Sequence, residues 1–474
     1  MVIMIMMSSM PLGFYISVPF CRTKCSYCNF ASDVFAKSAY ENYVARLLED
    51  IANVRDFVTG LGGRPGCAAG DSWGDTVDSL YLGGGTPSIL DDPQLLRIFA
   101  AVRGHFAVTT HAEITVECAP GTLTPALIET LLQCGVNRVS LGVQSFVDRE
   151  AQSVGRLHKR STVLEEIRRL RGAGLGNISI DLIAGLPYQT VESWAFSVAE
   201  TIATEVPHVS VYMLEVDDES RLGRELIAGG ARYHAHFVPD DDRTADFYQQ
   251  ACEMLAAAGI AQYEISNFAR STSRSQNGEL PGELRSNESR HNLKYWTRQP
   301  YLGFGVDAHS MLELPVWGRA PLRQARRIQA ERGSATANSQ NNSGLAVAAD
   351  GAEANLSQAV RFATPDSLDA YMNRTPPTVT PLSAQAAIEE TLFLGLRLNR
   401  GVDLARLCTE FGPDAIATWD SAIEQSLQEG LIEQQNTVLR LTSRGRLLSN
   451  EVFARFLAEA TEETKVGTGH VNPR

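Results

Sequence analysis

Three cysteines stand close together near the start of the chain, Cys21, Cys25 and Cys28, in a C-x₃-C-x₂-C array. Thiolates are soft ligands that suit iron–sulfur clusters and zinc. Three are one short of a closed structural zinc site and one short of a four-iron cluster held wholly by protein. On a four-iron cluster they would leave one iron open, and an open position is what a reactive metal site needs. Cysteines at i, i+4 and i+7 also share one face of a helix, where cysteine is often a small buried apolar residue. Pro19 opens the segment directly after the apolar run 12–18, which favours a loop leaving a strand.

Further polar or glycine-rich points recur after other apolar runs. Gly83-Gly84-Gly85-Thr86 follows the run 79–82. Glycines let backbone approach a neighbour or ligand closely, and tight turns are their commonest use. The stretch lacks the Gly-Lys-Ser/Thr of a phosphate loop and the dispersed glycines of a dinucleotide fingerprint. Glu117 ends the run 113–118 and can accept from a hydroxyl or an ammonium group. Gln144 ends 138–143, and Asp181 lies inside 178–183. Arg156 sits in Gly155-Arg156-Leu157-His158. Taken singly, each is more often a cap, a hinge or a surface group.

The cysteine array directly after a first strand resembles the cluster loop of radical S-adenosylmethionine (SAM) enzymes. The string Tyr15-Ile16-Ser17-Val18-Pro19-Phe20-Cys21 resembles the branch holding oxygen-independent coproporphyrinogen III dehydrogenase and the HemW-type heme chaperones. The resemblance implies a [4Fe–4S] cluster on Cys21, Cys25 and Cys28, with SAM on its open iron. It implies SAM contacts from Tyr15, Tyr27, Gly84, Gly85, Thr86, Glu117, Gln144, Arg156 and Asp181. It also implies an electron donor for the cluster, and cleavage of SAM to methionine and a 5′-deoxyadenosyl radical.

Two features separate the branches. The dehydrogenase branch carries a fourth cysteine two positions after the third, where this chain has Phe30. The string His291-Asn292-Leu293-Lys294-Tyr295-Trp296 matches one in the chaperone branch. Imidazole can hold heme iron axially, and aromatic faces can pack on a porphyrin. The expected function is therefore a heme chaperone that binds heme as cargo and passes it to an acceptor protein, a membrane protein being one class of acceptor that fits. His291 is the candidate heme ligand and His309 the weaker one. The alternatives are an oxygen-independent coproporphyrinogen III oxidase, or a radical SAM enzyme acting on another substrate. Whether the chain is an enzyme stays open at this point, and no catalytic residue is assigned.

These groups need a scaffold that gathers strand ends. Apolar runs rich in Val, Ile and Leu alternate with helical patterns such as Tyr43, Leu47, Leu48, Ile51 and Val54, which implies a parallel sheet covered by helices. About six βα units are countable up to residue 214, short of the eight of a closed barrel. The expected fold class is α/β, an incomplete (β/α)₆ barrel with a smaller C-terminal α+β winged-helix-like domain. In such sheets reactive groups collect at the carboxyl ends of strands, where the cysteine loop, the glycine triplet, Glu117, Gln144 and Asp181 all fall. The expected divisions are 1–12, a frayed leader; 13–240, the partial barrel; 241–330, a barrel extension with the His291 string; 331–358, a flexible insertion; and 359–474, the C-terminal domain. Residues 60–75 and 271–289 read as further surface insertions.

The 474 residues are 44% hydrophobic and 20% charged, a globular composition, and the net charge is −13. That sign argues against a nucleic-acid backbone as partner, which needs a basic footprint. Five of the eight cysteines are scattered singly, which fits a reduced compartment, and no run reads as a membrane span. The cytoplasm is the expected location.

Overall fold

The computed structural model describes residues 10–60, 76–271, 287–313 and 359–457. Six parallel strands follow one another across the sheet in chain order: β1 (Leu12–Val18), β2 (Thr76–Gly84), β3 (Ala107–Cys118), β4 (Arg138–Gln144), β5 (Ile178–Ala184) and β6 (His208–Met213). The expected six-unit barrel core is present, and both of its edges are extended. A hairpin of β7 (Ile260–Gln262) and β8 (Asn267–Arg270) pairs antiparallel with β6. At the other edge β9 (Tyr301–Gly305) runs parallel to β1, followed by antiparallel β10 (His309–Glu313), β11 (Ala359–Ala363) and β12 (Thr378–Leu382).

Alternation along each strand sorts residues between two faces. On β1, Leu12, Phe14, Ile16 and Val18 are fully buried against the helices, and Phe14 meets Phe106 edge-on at 4.7 Å. The helix Ser38–Gly60 covers this side with Tyr43, Val44, Leu47, Ile51, Val54 and Val58. Gly13, Tyr15 and Ser17 face the concave side, in register with Ser79, Tyr81 and Gly83 of β2. Glu113, Thr115 and Glu117 of β3, Ser140 of β4, Asp181 of β5 and Ser210 of β6 continue that polar face. The period of two thus gives a dry convex core and a polar interior from the same strands.

Helix starts match their sequence signals. Thr124 accepts from Leu127 N at 3.1 Å with Pro125 in the first turn, and Thr190 and Ser193 form a reciprocal capping box. Among the described residues no helix is long and apolar enough to cross a membrane.

The C-terminal unit begins later than expected. β11 and β12 fall within 359–474, yet β11 pairs with β10 over five residues and β12 with β11, so both complete the barrel sheet. The separate domain starts at the helix Ala384–Leu396. It contains the helices Leu404–Phe411, Pro413–Ala417 and Asp420–Gln428, a small sheet of β13 (Val402–Asp403), β14 (Ile432–Gln435) and β15 (Val438–Leu441), and the helices Ser443–Leu447 and Ser449–Arg455. Its own core includes Leu392, Leu396, Leu407, Trp419, Ile423, Leu439 and Phe456. The β14–β15 hairpin turns at Asn436, whose φ of 55° is a left-handed conformation that asparagine tolerates. Of the insertions read at 60–75 and 271–289, residues 61–75 and 272–286 lie outside the described residues, as do 331–358 and the leader up to residue 9.

Candidate cluster and SAM site at the strand ends

The cysteine loop leaves β1 and is tied down on several sides. Cys21 N donates to Asp33 O at 3.0 Å, and Ser26 N donates to Val154 O at 3.1 Å. Ser26 O accepts from Leu222 N at 2.8 Å, and Thr23 Oγ1 donates to Gly155 O at 3.0 Å. The loop is therefore held by segments that follow β4 and β6. Burial and the neighbouring thiols push the Cys21 and Cys28 thiols up, so loading a metal there must release protons. Among the described residues no group of three His, Cys, Asp or Glu is close enough to share a single metal ion. A four-iron cluster differs, because each thiolate binds a separate corner and the sulfurs stand further apart. The donor set fits such a cluster.

The glycine turn serves this loop first. Gly85 N donates to Val18 O at 2.7 Å and Thr86 N to Phe20 O at 2.8 Å. A Cβ on Gly85 would lie 2.7 Å from Phe20 O and 2.8 Å from Val18 O, so side-chain-free backbone is required there. Gly84 has φ +99° and donates its N–H to Glu117 Oε2 at 3.2 Å. Thr86 Oγ1 lies 3.8 Å from Cys21 Sγ.

Glu117 is clamped from the other side by Tyr81, whose hydroxyl donates to Oε1 at 2.9 Å. Tyr15 stacks on Tyr81 with ring centroids 6.1 Å apart. Asp181 accepts from Ser140 Oγ at 2.9 Å, and burial raises its carboxyl above the usual range while the hydroxyls of Ser210 and Ser140 work the other way. Gln144 is buried in a left-handed conformation, φ 67°, and its Oε1 has no partner among the described residues. Arg156 Nε is likewise buried and unpartnered, and the guanidinium packs against Gly142. Burial lowers the Arg156 pKa, but the Tyr27, Cys25 and Cys28 side chains outweigh it and hold the group charged. Tyr27 packs with Val154, Ile183 and Leu186 beneath the cluster loop. An orphaned amide oxygen and an orphaned guanidinium N–H beside carboxylates on two strands form a cradle that lacks a polar ligand. A buried polar group left unpaired is costly, so such atoms mark where a ligand belongs. SAM, with an ammonium, a carboxylate and two ribose hydroxyls, fits this donor and acceptor set.

His291 lies behind this site, its ring stacked on Tyr81 at 5.3 Å and on Tyr15 at 6.3 Å between centroids. Its helix, Arg290–Trp296, lies across the amino end of the barrel strands. Nδ1 is 3.1 Å from Ser79 Oγ and Nε2 is 2.8 Å from Tyr295 OH, and the ring is 1% exposed. Burial, reinforced by nearby Lys294, pushes its pKa down to about 3. Both nitrogens of His291 are therefore engaged within a packed, buried environment in this conformation. Trp296 is equally buried, and Lys294 pairs with Asp78 at 2.8 Å. His309 differs, with a half-exposed ring 3.7 Å from Asp307.

Several residues escaped the sequence reading. Tyr81 carries the clamp on Glu117, and its place two positions before Gly83 on the same strand face was the available signal. Ser140 and Glu166 gave none. Glu166 holds the loop after β3 through Gly121 N and Leu123 N, both at 3.0 Å, from a helix distant in sequence.

Comparison with known proteins agrees with this geometry. The radical SAM superfamily model matches residues 15–198, and the HemN C-terminal domain model matches 382–448. The chain is 29% identical to the heme chaperone HemW of Bacillus subtilis, over 94% of this chain and 99% of that protein. It is 31% identical to the heme chaperone HemW of Escherichia coli, over 64% of this chain and 71% of that protein. Among solved structures it resembles the coproporphyrinogen III oxidase HemN of Escherichia coli, a radical SAM enzyme. The TM-score is 0.69 at 19% identity, covering 94% of this chain and 90% of that one, a likeness of fold.

Proposed function

The chain belongs to the HemW heme-chaperone family within the radical SAM superfamily, and from that premise we propose that it binds heme and delivers it to an acceptor protein. Superfamily membership carries a [4Fe–4S] cluster and SAM with it. Cys21, Cys25 and Cys28 would hold three irons, and the cluster supplies a single electron at an iron left open for SAM. The chain's own residues do the positioning. Glu117 and Asp181 offer carboxylates from neighbouring parts of the sheet, Gln144 Oε1 and Arg156 Nε offer the unpaired acceptor and donor, and Tyr81 fixes Glu117. Tyr15, Tyr27, Gly84, Gly85 and Thr86 line the same end. The cluster loop and the segments from β4 and β6 that tie it down cover the site on the cluster side.

The observation that carries the chaperone reading is the family relationship over nearly the whole chain. It is supported by Phe30, 36% exposed, standing where the dehydrogenase branch has a fourth cysteine. The test is anaerobic reconstitution with iron and sulfide, followed by parallel assays. Saturable heme binding with no conversion of coproporphyrinogen III in the presence of SAM and reductant is expected. Sustained protoporphyrinogen formation over many turnovers would replace the chaperone with an oxidase.

A further inference from the structure

Heme is an amphipathic disc with two carboxylates on one edge and an iron that takes an imidazole. A surface that holds it needs cations, apolar contact and a free imidazole together. Most histidines here lack a free nitrogen or stand far from the strand ends. His158 and His208 are buried and hydrogen-bonded, as is His291. His105 ends the helix before β3 and His111 lies in the first half of β3, toward the opposite end of the barrel.

The segment after β6 combines all three requirements. The helix Arg221–Ala228 and the short turn Ala235–Phe237 form one unit, because Glu225 accepts from Tyr233 N at 2.6 Å and Ala235 N at 3.3 Å. Those bonds engage the one carboxylate in the cavity between them. That open cavity, about 420 Å³, is lined by Arg221, Arg224, Glu225, Gly230, Arg232 and Tyr233. Three arginines in one place stand out in a chain of net charge −13. Arg221 is committed to the cluster loop, through Lys24 O at 3.3 Å and Asp33 at 3.8 Å. Arg224 is exposed and has no side-chain partner among the described residues. Arg232 lies over the Tyr233 ring at 5.3 Å.

The same unit exposes large apolar side chains. Leu226 is 54% exposed, Ile227 70% and Phe237 44%. His236 packs against Phe237 with ring centroids 4.1 Å apart and the planes tilted by 42°, and neither of its nitrogens has a partner among the described residues. The neighbouring His234 is held through Nδ1 by Tyr188 OH at 2.9 Å. Tyr188 N in turn donates to Phe237 O at 3.1 Å, so the turn is anchored to the loop after β5.

Resting on the heme-chaperone reading, we infer that heme docks on this unit, with its propionates on Arg224 and Arg232, its ring edge on Ile227 and Phe237, and its iron on His236. The unit also touches the cluster loop, through Leu222 N to Ser26 O and Asn29 Nδ2 to Asp217 at 3.0 Å. Cargo bound there would lie beside the cluster and outside the SAM cradle.

The test titrates the reconstituted full-length protein with ferric heme and, separately, with heme dimethyl ester, which lacks the carboxylates. Arg224→Glu together with Arg232→Glu should weaken heme about tenfold, from two reversed surface charges, and leave the ester unchanged. His236→Ala should shift the Soret band, while His291→Asn and His309→Ala leave it in place. Loss of heme and ester alike in the double variant, or wild-type affinity in it, overturns the propionate assignment. An unshifted band in His236→Ala overturns the iron assignment. Absence of saturable heme binding by the wild type would instead remove the chaperone reading, and this inference with it.

Discussion

At the scale of single residues, the site is a set of polar groups whose partners come from elsewhere in the chain. Glu117 is held by Tyr81 OH and Gly84 N, so its carboxylate is oriented before any ligand arrives. Tyr81→Phe is expected to lower SAM affinity roughly three- to tenfold, the worth of about one hydrogen bond, and Glu117→Ala roughly ten- to a hundredfold. Anaerobic calorimetry with SAM checks both, and equal affinity across the wild type and both variants would place SAM away from β3. His291 makes a different kind of prediction. Its folded pKa, about 3, lies below the ordinary value near 6.5, so between those limits the unfolded chain binds the extra proton and the folded chain does not. The folded state is therefore favoured above about pH 6.5 and loses up to about 1.4 kcal/mol per pH unit from this group as pH falls below it. Comparing urea midpoints of the wild type and His291→Asn at pH 7.5 and 5.5 isolates the group. The wild type should lose more stability on acidification than the variant.

At the scale of elements, the β2 turn and the cluster loop are a fitted pair. Gly85 passes so close to Val18 O and Phe20 O that a single methyl has nowhere to go. Gly85→Ala is expected to cost about 1–3 kcal/mol through overpacking and to displace the loop bearing Cys21. Melting temperature and iron content per chain after reconstitution report the two effects. Gain of a full cluster at wild-type stability would show that the loop tolerates displacement. The helix Arg290–Trp296 illustrates the same point at the other end of the barrel. Its histidine and lysine face inward and are satisfied by β2, by Tyr295 and by the chain before β1, while Trp296 is buried beside them, which makes the helix a plug for the strand starts.

At the scale of the whole molecule, the C-terminal domain is joined to the barrel by a shared ion cluster. Glu390, on the first helix of that domain, meets Arg298 at 3.0 Å and Arg361 of β11 at 2.9 Å. Arg397 reaches Glu264 at 3.6 Å and lies 4.3 Å over the Trp296 ring. Glu390 is only 10% exposed at its side chain, so its removal would leave two neighbouring guanidinium groups without their anion. Glu390→Ala is expected to destabilise the junction by about 2–4 kcal/mol, near the cost of breaking a buried pair. Calorimetry should then separate a C-terminal transition from that of the barrel. A single unshifted transition would show that apolar contact, and not this cluster, holds the two together.

The sequence by itself determined what is local or periodic. The cysteine spacing and the alternation along β1 to β6 each depend on residues a few positions apart, and physical rules acting at that range were enough to place the strand ends carrying Glu117, Gln144 and Asp181. Tertiary structure decided what depends on distant partners. Nothing near His291 in the chain reveals that Ser79 will take one of its nitrogens, because that contact spans more than two hundred residues. Likewise β11 and β12 read as the start of a new domain until pairing of β11 with β10, and of β12 with β11, returns them to the barrel. Whether a polar side chain is a ligand or a packed core residue turns on which of its atoms remain unpaired, and pairing is settled only when the strands and helices are brought together.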